Sequence, residues 1–156
     1  DSKLKLDITT FYNMIEQLDN YEEYWASCQI VIIEEQMSFG SKINKMAVKL
    51  GQHCFSYFTI KHPTLSIMEF PAYHKTQILG AEKIPGKAYK NGNIRFKAME
   101  KPQRKKWAVS KTIQILTDRN ELETIQSVKK KDDLADTFLM IQAFKYLVYV
   151  ERKMKI

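Results

Sequence analysis

The sequence predicts an α/β domain built around a pair of parallel strands. Three consecutive segments carry this prediction: a short β-branched run at residues 28–33, an amphipathic stretch at residues 41–58, and a second short apolar run at residues 64–70 between two prolines. A strand, a long helix and a second strand in this order are typical of a βαβ unit, whose strands lie parallel. We expect a single domain spanning residues 1–156, a length sufficient to bury a core.

The N-terminal half of the chain supplies the elements of this unit. Residues 3–6 alternate lysine and leucine, as a half-exposed strand does. Residues 7–10 have the composition of a helix start, and apolar residues then recur at helical spacing. The run at 28–33 is apolar throughout, which favours a strand buried on both faces. Ser41 is the expected cap of the long helix that follows.

The C-terminal half predicts two helices after a basic insertion. Residues 75–101 lose periodicity and combine glycines with many lysines, which indicates a long basic loop or hairpin. Helical spacing returns at residues 103–117, and a final helix is expected from about Asp133 towards Met154. The residues expected to face inward are Val109, Thr112, Ile113 and Leu116 in the first of these helices and Leu134, Phe138, Ile141 and Phe144 in the second.

Composition limits the classes of function. A hydrophobic fraction of 44% is that of a folded globule, and the longest apolar run is far too short to span a membrane. Cys28 and Cys54 have no metal-type spacing, so we interpret them as reduced core residues of an intracellular protein. The net charge of +7 favours a polyanionic partner, although charge alone does not separate DNA from RNA or from an anionic membrane.

Acidic residues at two places suggest a metal site. Residues 129–137 read Lys-Lys-Lys-Asp-Asp-Leu-Ala-Asp-Thr, and helical spacing places Asp136 beside both Asp133 and Asp132. Helix capping also explains acids at such a position. Glu34 follows the strand at its carboxyl end, where open α/β sheets keep their sites, although it also suits an ordinary polar strand end. Together, Glu34, Asp133 and Asp136 form an all-oxygen set that suits Mg²⁺, with Mn²⁺ as an alternative, and metal-dependent phosphodiester hydrolysis.

Four segments in this order resemble the RuvC-type Holliday junction resolvases. Residues 32–36 (Ile-Ile-Glu-Glu-Gln) are similar to the strand-end Ile-Glu-x-Gln of that family, and residues 133–136 are similar to its C-terminal Asp-x-x-Asp helix. Residues 68–76 and 104–109 look most like the branch found in poxviruses and other large DNA viruses, with the fungal mitochondrial resolvases as more distant relatives. The resemblance covers roughly residues 8–148.

The resemblance implies a fold, an activity and partners. The fold would be an RNase H-like mixed sheet flanked by helices. The activity would be magnesium-dependent cleavage of four-way DNA junctions by a homodimer, which processes viral genome concatemers and recombination intermediates. A poxvirus-like protein would act in the host cytoplasm and a fungal-like one in the mitochondrion; no membrane partner is expected.

The resemblance also assigns roles to residues. Glu34, Asp133 and Asp136 would be metal ligands, and Lys106 would be the lysine near the scissile phosphate. Asp132 competes with Asp133, and Lys105 competes with Lys106, for these roles. The candidate phosphate contacts are Lys75, Lys87, Lys90, Arg104 and Lys105.

One departure from the family concerns its first catalytic Asp, which lies on an opening strand. Residues 3–6 correspond only to the end of the third strand of the family. Either the printed chain lacks its natural N-terminus or the protein has lost this ligand, and the first is the better explanation, because losing two strands would expose an apolar sheet edge. We therefore expect the printed polypeptide to cleave poorly.

Two alternatives remain open. A different RNase H-like nuclease, acting on flaps or RNA–DNA hybrids, would use the same carboxylates. A non-catalytic basic nucleic-acid-binding domain would instead have Glu34 and Asp136 apart from each other or paired with lysines.

Overall fold

The computed structural model describes residues 6–36, 43–97 and 99–154. The chain is a mixed α/β protein, and it divides into two compact units, the first ending at Pro71 and the second beginning at Ala72.

The first unit is a βαβ arrangement preceded by two helices. Strands β1 and β2 pair in parallel, with Ile30 opposite Ser66 and Glu35 opposite Pro71. This confirms the predicted unit. Its elements are α1 (Ile8–Asp19), α2 (Glu22–Ser27), β1 (Ile30–Glu35), α3 (Lys45–Lys61) and β2 (Ser66–Pro71).

Side-chain caps fix where the helices of this unit begin. The Asp7 carboxylate accepts a hydrogen bond from the backbone N–H of Thr10 at 2.9 Å, which confirms the predicted start of α1 and lowers the pKa of Asp7. Asn44 caps α3 in the same way, through Ala47 N–H at 3.2 Å, so α3 begins at Lys45. The expected cap Ser41 and residues 3–5 of the expected first strand lie outside the described residues.

Strand β1 is less buried than its sequence predicts. Residues 30–33 are half-buried, and Glu34 and Glu35 are exposed. Among the described residues the sheet of β1 has two strands, so it receives cover from fewer neighbours than a central strand does. The prediction of burial on both faces is therefore wrong.

The second unit combines a β-hairpin with packed helices. The predicted hairpin is confirmed, but the start of the expected loop is helical, so Lys75 lies on a helix. The elements are α4 (Tyr73–Ile78), β3 (Ile84–Ala88), β4 (Ile94–Lys97), α5 (Lys101–Asp118), α6 (Glu123–Gln126) and α7 (Lys131–Lys145), which continues as a π-helical turn (Tyr146–Val150).

The core of this unit forms where α5 and α7 pack together. Small residues, Ala108 on α5 and Ala135 on α7, are almost fully buried and allow the two backbones to approach closely. The buried stripe therefore lies around these alanines, and two residues expected to face inward, Ile113 and Ile141, are 38% and 42% exposed. The cluster of fully buried apolar residues is Ala108, Leu116, Ile125, Ala135 and Leu139.

Candidate functional site

Helix α7 begins with the acidic residues that the sequence singled out. Asp132 and Asp133 lie in its first turn, where carboxylates complement the positive end of the helix dipole. Lys130, the residue before the helix, provides no side-chain cap, and Asp132 and Asp133 are the acidic groups of the first turn. Asp136 follows one turn later, next to the buried Ala135.

Asp136 forms an ion pair with Lys75. The Lys75 Nζ lies 2.8 Å from Asp136 Oδ1, and α4, which carries Lys75, packs against α7. The lysine side chain is only 6% exposed and the aspartate is 39% exposed. Burying an ammonium costs several kcal/mol of desolvation, and the Asp136 carboxylate offsets part of this cost. Lys75 is therefore buried, which corrects its expected role as an exposed phosphate contact in a loop.

Sequence reasoning missed the burial of Lys75, although a signal was present. Lys75 precedes Leu79 by four residues, and Leu79 packs against the core of the second unit. Residues four apart share a helix face, so Lys75 would face the core if this segment were helical. The lysine-rich character of residues 75–101 concealed the short helix at its beginning.

Asp132 forms a second pair, with Lys105 on α5. The Lys105 ammonium donates a hydrogen bond to Asp132 Oδ2. This bond lowers the pKa of Asp132 and raises the pKa of Lys105, which the charges of Asp133 and Asp136 raise further. The two residues therefore stay charged at neutral pH and connect the second turn of α5 with the first turn of α7.

Asp133 is the most exposed of the three acids. Its side chain is 67% exposed, and its ion-pair partner, Lys130, lies at 3.9 Å and is itself 81% exposed. Surface pairs at this distance contribute little to stability. Asp133 is thus the acid of α7 whose carboxylate is most accessible to a ligand from solution.

A basic cleft lies beside these acids, between the starts of α5 and α7. It is open and has a volume of about 610 Å³. Four lysines contribute to its lining together with the charge-paired Asp132, which gives the cleft a positive potential suited to phosphate groups. The lining residues are Lys105, Lys106, Val109, Ser110, Lys129, Lys131 and Asp132.

The other predicted phosphate contacts occupy different positions. Lys106 is exposed on the cleft. Arg104, two residues earlier on α5, is half-buried. Lys87 on β3 and Lys90 in the turn that follows are exposed on the β3–β4 hairpin, away from the cleft lining.

Glu34 belongs to the first unit. It lies near the carboxyl end of β1, opposite the fully buried Phe70 of β2, as the sequence predicts. The amide of Gln36 donates to the backbone carbonyl of Glu34 at 3.2 Å and to its Oε2 at 3.4 Å. Glu34 is therefore an exposed carboxylate at the strand end, with neighbours in its own unit.

The fit of this arrangement to a divalent cation is partial. Asp133 and Asp136 share a helix face, reach solvent and offer the hard oxygen atoms that Mg²⁺ prefers. However, the described residues contain no group of three or more His, Cys, Asp or Glu side chains arranged to hold a metal ion. Within the second unit, Asp133 and Asp136 thus offer two carboxylates to a cation from solution, and lysines lie beside them.

Comparison with known proteins finds two viral relatives. The chain is 34% identical over 153 residues to uncharacterized protein 170L of Invertebrate iridescent virus 6, an alignment that covers 92% of this chain and 61% of that protein. It is 35% identical over 131 residues to uncharacterized protein 97L of Invertebrate iridescent virus 3, covering 84% and 55%. The chain therefore spans between about half and three fifths of the length of these relatives.

Other comparisons give no match: neither a protein-family profile nor a solved structure is similar to the chain. Within the described ranges, no helix has both the length and the apolar character required to cross a membrane.

Proposed function

We propose that this chain is the nuclease domain of a RuvC-like resolvase with an RNase H-like fold, which cleaves four-way DNA junctions. The observation that carries the proposal is the start of α7, where Asp133 and Asp136 lie one turn apart beside a cleft with four lysines. Phosphodiester hydrolysis by such enzymes needs both features, because cations bind the phosphate backbone and carboxylates hold the metal ion. The parallel βαβ unit with Glu34 at its strand end supports the same fold.

The residues have distinct roles in this proposal. Asp133 and Asp136 would hold Mg²⁺ or Mn²⁺, which would supply an activated water and stabilise the departing oxygen. Lys106, exposed on the cleft, neutralises negative charge on the phosphate. Lys105, held by Asp132, keeps a fixed positive charge beside the acids.

The partners follow from the proposed reaction. A four-way junction is a nearly two-fold symmetric polyanion, and a C2 homodimer places one active site on each of two opposing strands. Three tyrosines of α1, α2 and the turn between them are more than half exposed and could be covered in such a dimer: Tyr12, Tyr21 and Tyr24. The relatives are proteins of large DNA viruses, which supports the viral branch of the resemblance.

The experiment that tests the proposal is a cleavage assay with the full-length protein and Mg²⁺. Substrates are a four-way junction, a flap, an RNA–DNA hybrid and a linear duplex of the same sequence. Symmetric cuts in the junction, with 5′-phosphate ends and no cleavage in EDTA, are expected. Preferential cleavage of the flap or the hybrid would replace the resolvase with another RNase H-like nuclease.

A second candidate function is a non-catalytic basic domain that binds nucleic acid. It is favoured by the ion pairs that each acid of α7 makes with a lysine. This function predicts junction binding that is equal in Mg²⁺ and in EDTA, with no cleavage of any substrate. The same assay therefore separates the two functions.

A further inference from the structure

Lys75 places a positive charge at one of the proposed metal ligands. Its ammonium is almost completely buried, and it contacts Asp136 Oδ1 at 2.8 Å. The two other lysines that pair with acids of α7 are far more exposed, Lys105 at 45% and Lys130 at 81%. Among the described pairs, Lys75 is thus the lysine that is most shielded from solvent.

The carboxylate of Asp136 can contact two cations at once. Its side chain is 39% exposed, so it connects a buried ammonium with solvent. A carboxylate has two oxygen atoms with about four lone-pair positions, and Oδ1 uses only part of this capacity for Lys75. A metal ion that approaches from solvent meets a carboxylate whose charge is already compensated.

We propose that Lys75 lowers the affinity of the acidic start of α7 for a divalent metal ion. The ammonium of Lys75 already compensates the charge of Asp136, so a metal ion has to share this carboxylate with Lys75 or displace the ammonium from it. The proposal rests on the proposed function in that it takes Asp136 to be a metal ligand. Lys75 acts through Asp136 and is a positioning residue. Removing its charge leaves a carboxylate that a divalent ion can compensate instead.

Thermal unfolding of the full-length protein in EDTA and in Mn²⁺ tests the proposal. The variants are wild type, Lys75→Met and the double variant Lys75→Met/Asp136→Asn. Lys75→Met should melt below wild type in EDTA, and Mn²⁺ at roughly 100 times its Kd should raise its Tm by roughly 5–10 °C. Wild type should gain clearly less, and the double variant should gain nothing.

A direct measurement of Mn²⁺ binding by titration calorimetry gives a second readout. Lys75→Met should bind Mn²⁺ at least about tenfold more tightly than wild type, a difference of about 1.4 kcal/mol. If Lys75→Met does not fold in EDTA, Lys75→Gln, which keeps a hydrogen-bond donor without the charge, is measured in its place with the same expectation.

Two results would overturn the proposal. In the first, Lys75→Met is destabilised equally in EDTA and in Mn²⁺, which makes the pair purely structural. In the second, the double variant keeps the metal response, which places the bound ion elsewhere. Neither result depends on cleavage, so junction cutting by wild type would still support the proposed function, and its absence would leave the metal response of Lys75→Met intact.

Discussion

Lys105 in the second turn of α5 and Asp132 in the first turn of α7 form a hydrogen bond between opposite charges. The sequence alone does not separate Lys105 from Lys106 or Asp132 from Asp133, and this contact does. Lys105 and Asp132 engage each other, whereas their neighbours Lys106 and Asp133 are exposed. Lys105 and Asp132 thus hold the two helices together, and we propose Lys106 and Asp133 as the residues that meet the substrate and the metal ion.

The two side chains of the Lys75–Asp136 pair are buried to different degrees, so removing one or the other should destabilise the fold by different amounts. Asp136→Asn removes the carboxylate that contacts the buried Lys75 ammonium at 2.8 Å, and it should cost about 3 kcal/mol or more in the free energy of unfolding. In metal-free buffer, Lys75→Met should lower the free energy of unfolding by less, because the Asp136 carboxylate that remains is partly solvated. Urea unfolding of both variants measures the difference, and equal losses would contradict it.

This asymmetry affects how Asp136→Asn is used in activity assays. A loss of cleavage in that variant would combine the loss of a proposed ligand with a loss of stability. Asp136→Asn therefore has to be compared with Lys75→Met/Asp136→Asn, in which both charges of this ion pair are removed.

The lysines of the cleft should contribute to nucleic-acid affinity through phosphate contacts. Lys106→Gln and Lys131→Gln should each weaken junction binding, and each should reduce the slope of log K against log salt by about 1. Lys145→Gln, at the opposite end of α7, is the matched control and should change neither quantity. Fluorescence anisotropy at several salt concentrations provides both values; an unchanged slope for Lys106→Gln and Lys131→Gln would remove the cleft from the interface.

Stability at acidic pH should depend on a contact in the first unit. The Tyr57 hydroxyl donates a hydrogen bond to Asp19 Oδ1 at 2.7 Å, and this bond lowers the pKa of Asp19 below its ordinary value of 3.8. A carboxyl group with a lowered folded-state pKa stabilises the fold above its ordinary pKa, and this contribution is lost as the pH falls through the folded-state pKa. The stability difference between wild type and Tyr57→Phe should therefore be constant near neutral pH and shrink below pH 3.8. Denaturant titrations across this range measure it, and a difference that grows on acidification would contradict the prediction.

The elements of the fold could be predicted where periodicity was strong. The parallel βαβ unit, α1 and α5 follow directly from apolar spacing and flanking residues. The degree of burial could not be predicted, because a β-branched run such as residues 30–33 does not reveal how many strands lie beside it. Short helices such as α4 and α6 also escaped prediction, since four to six residues give too little periodicity.

The sequence predicted only those relationships of the candidate site that lie within a single helix. Helical spacing was sufficient to group Asp132, Asp133 and Asp136, because their relationship lies within one helix. The lysine partners of these acids come from α4 and α5, and a pairing between distant segments depends on tertiary packing that spacing does not encode. The burial of Lys75 is the clearest example.

The central claim is that the acidic start of α7 is part of a metal-dependent nuclease site, and Asp133→Asn tests it most directly. Asp133 makes only a long ion pair with an exposed lysine, so its replacement should change stability little. Asp118→Asn, an exposed acid at the other end of α5, is the control. In full-length protein with Mg²⁺, Asp133→Asn should lower the rate of junction cleavage by roughly 100-fold or more and retain junction binding, while Asp118→Asn cleaves as wild type does. Cleavage by Asp133→Asn at the wild-type rate would contradict the account.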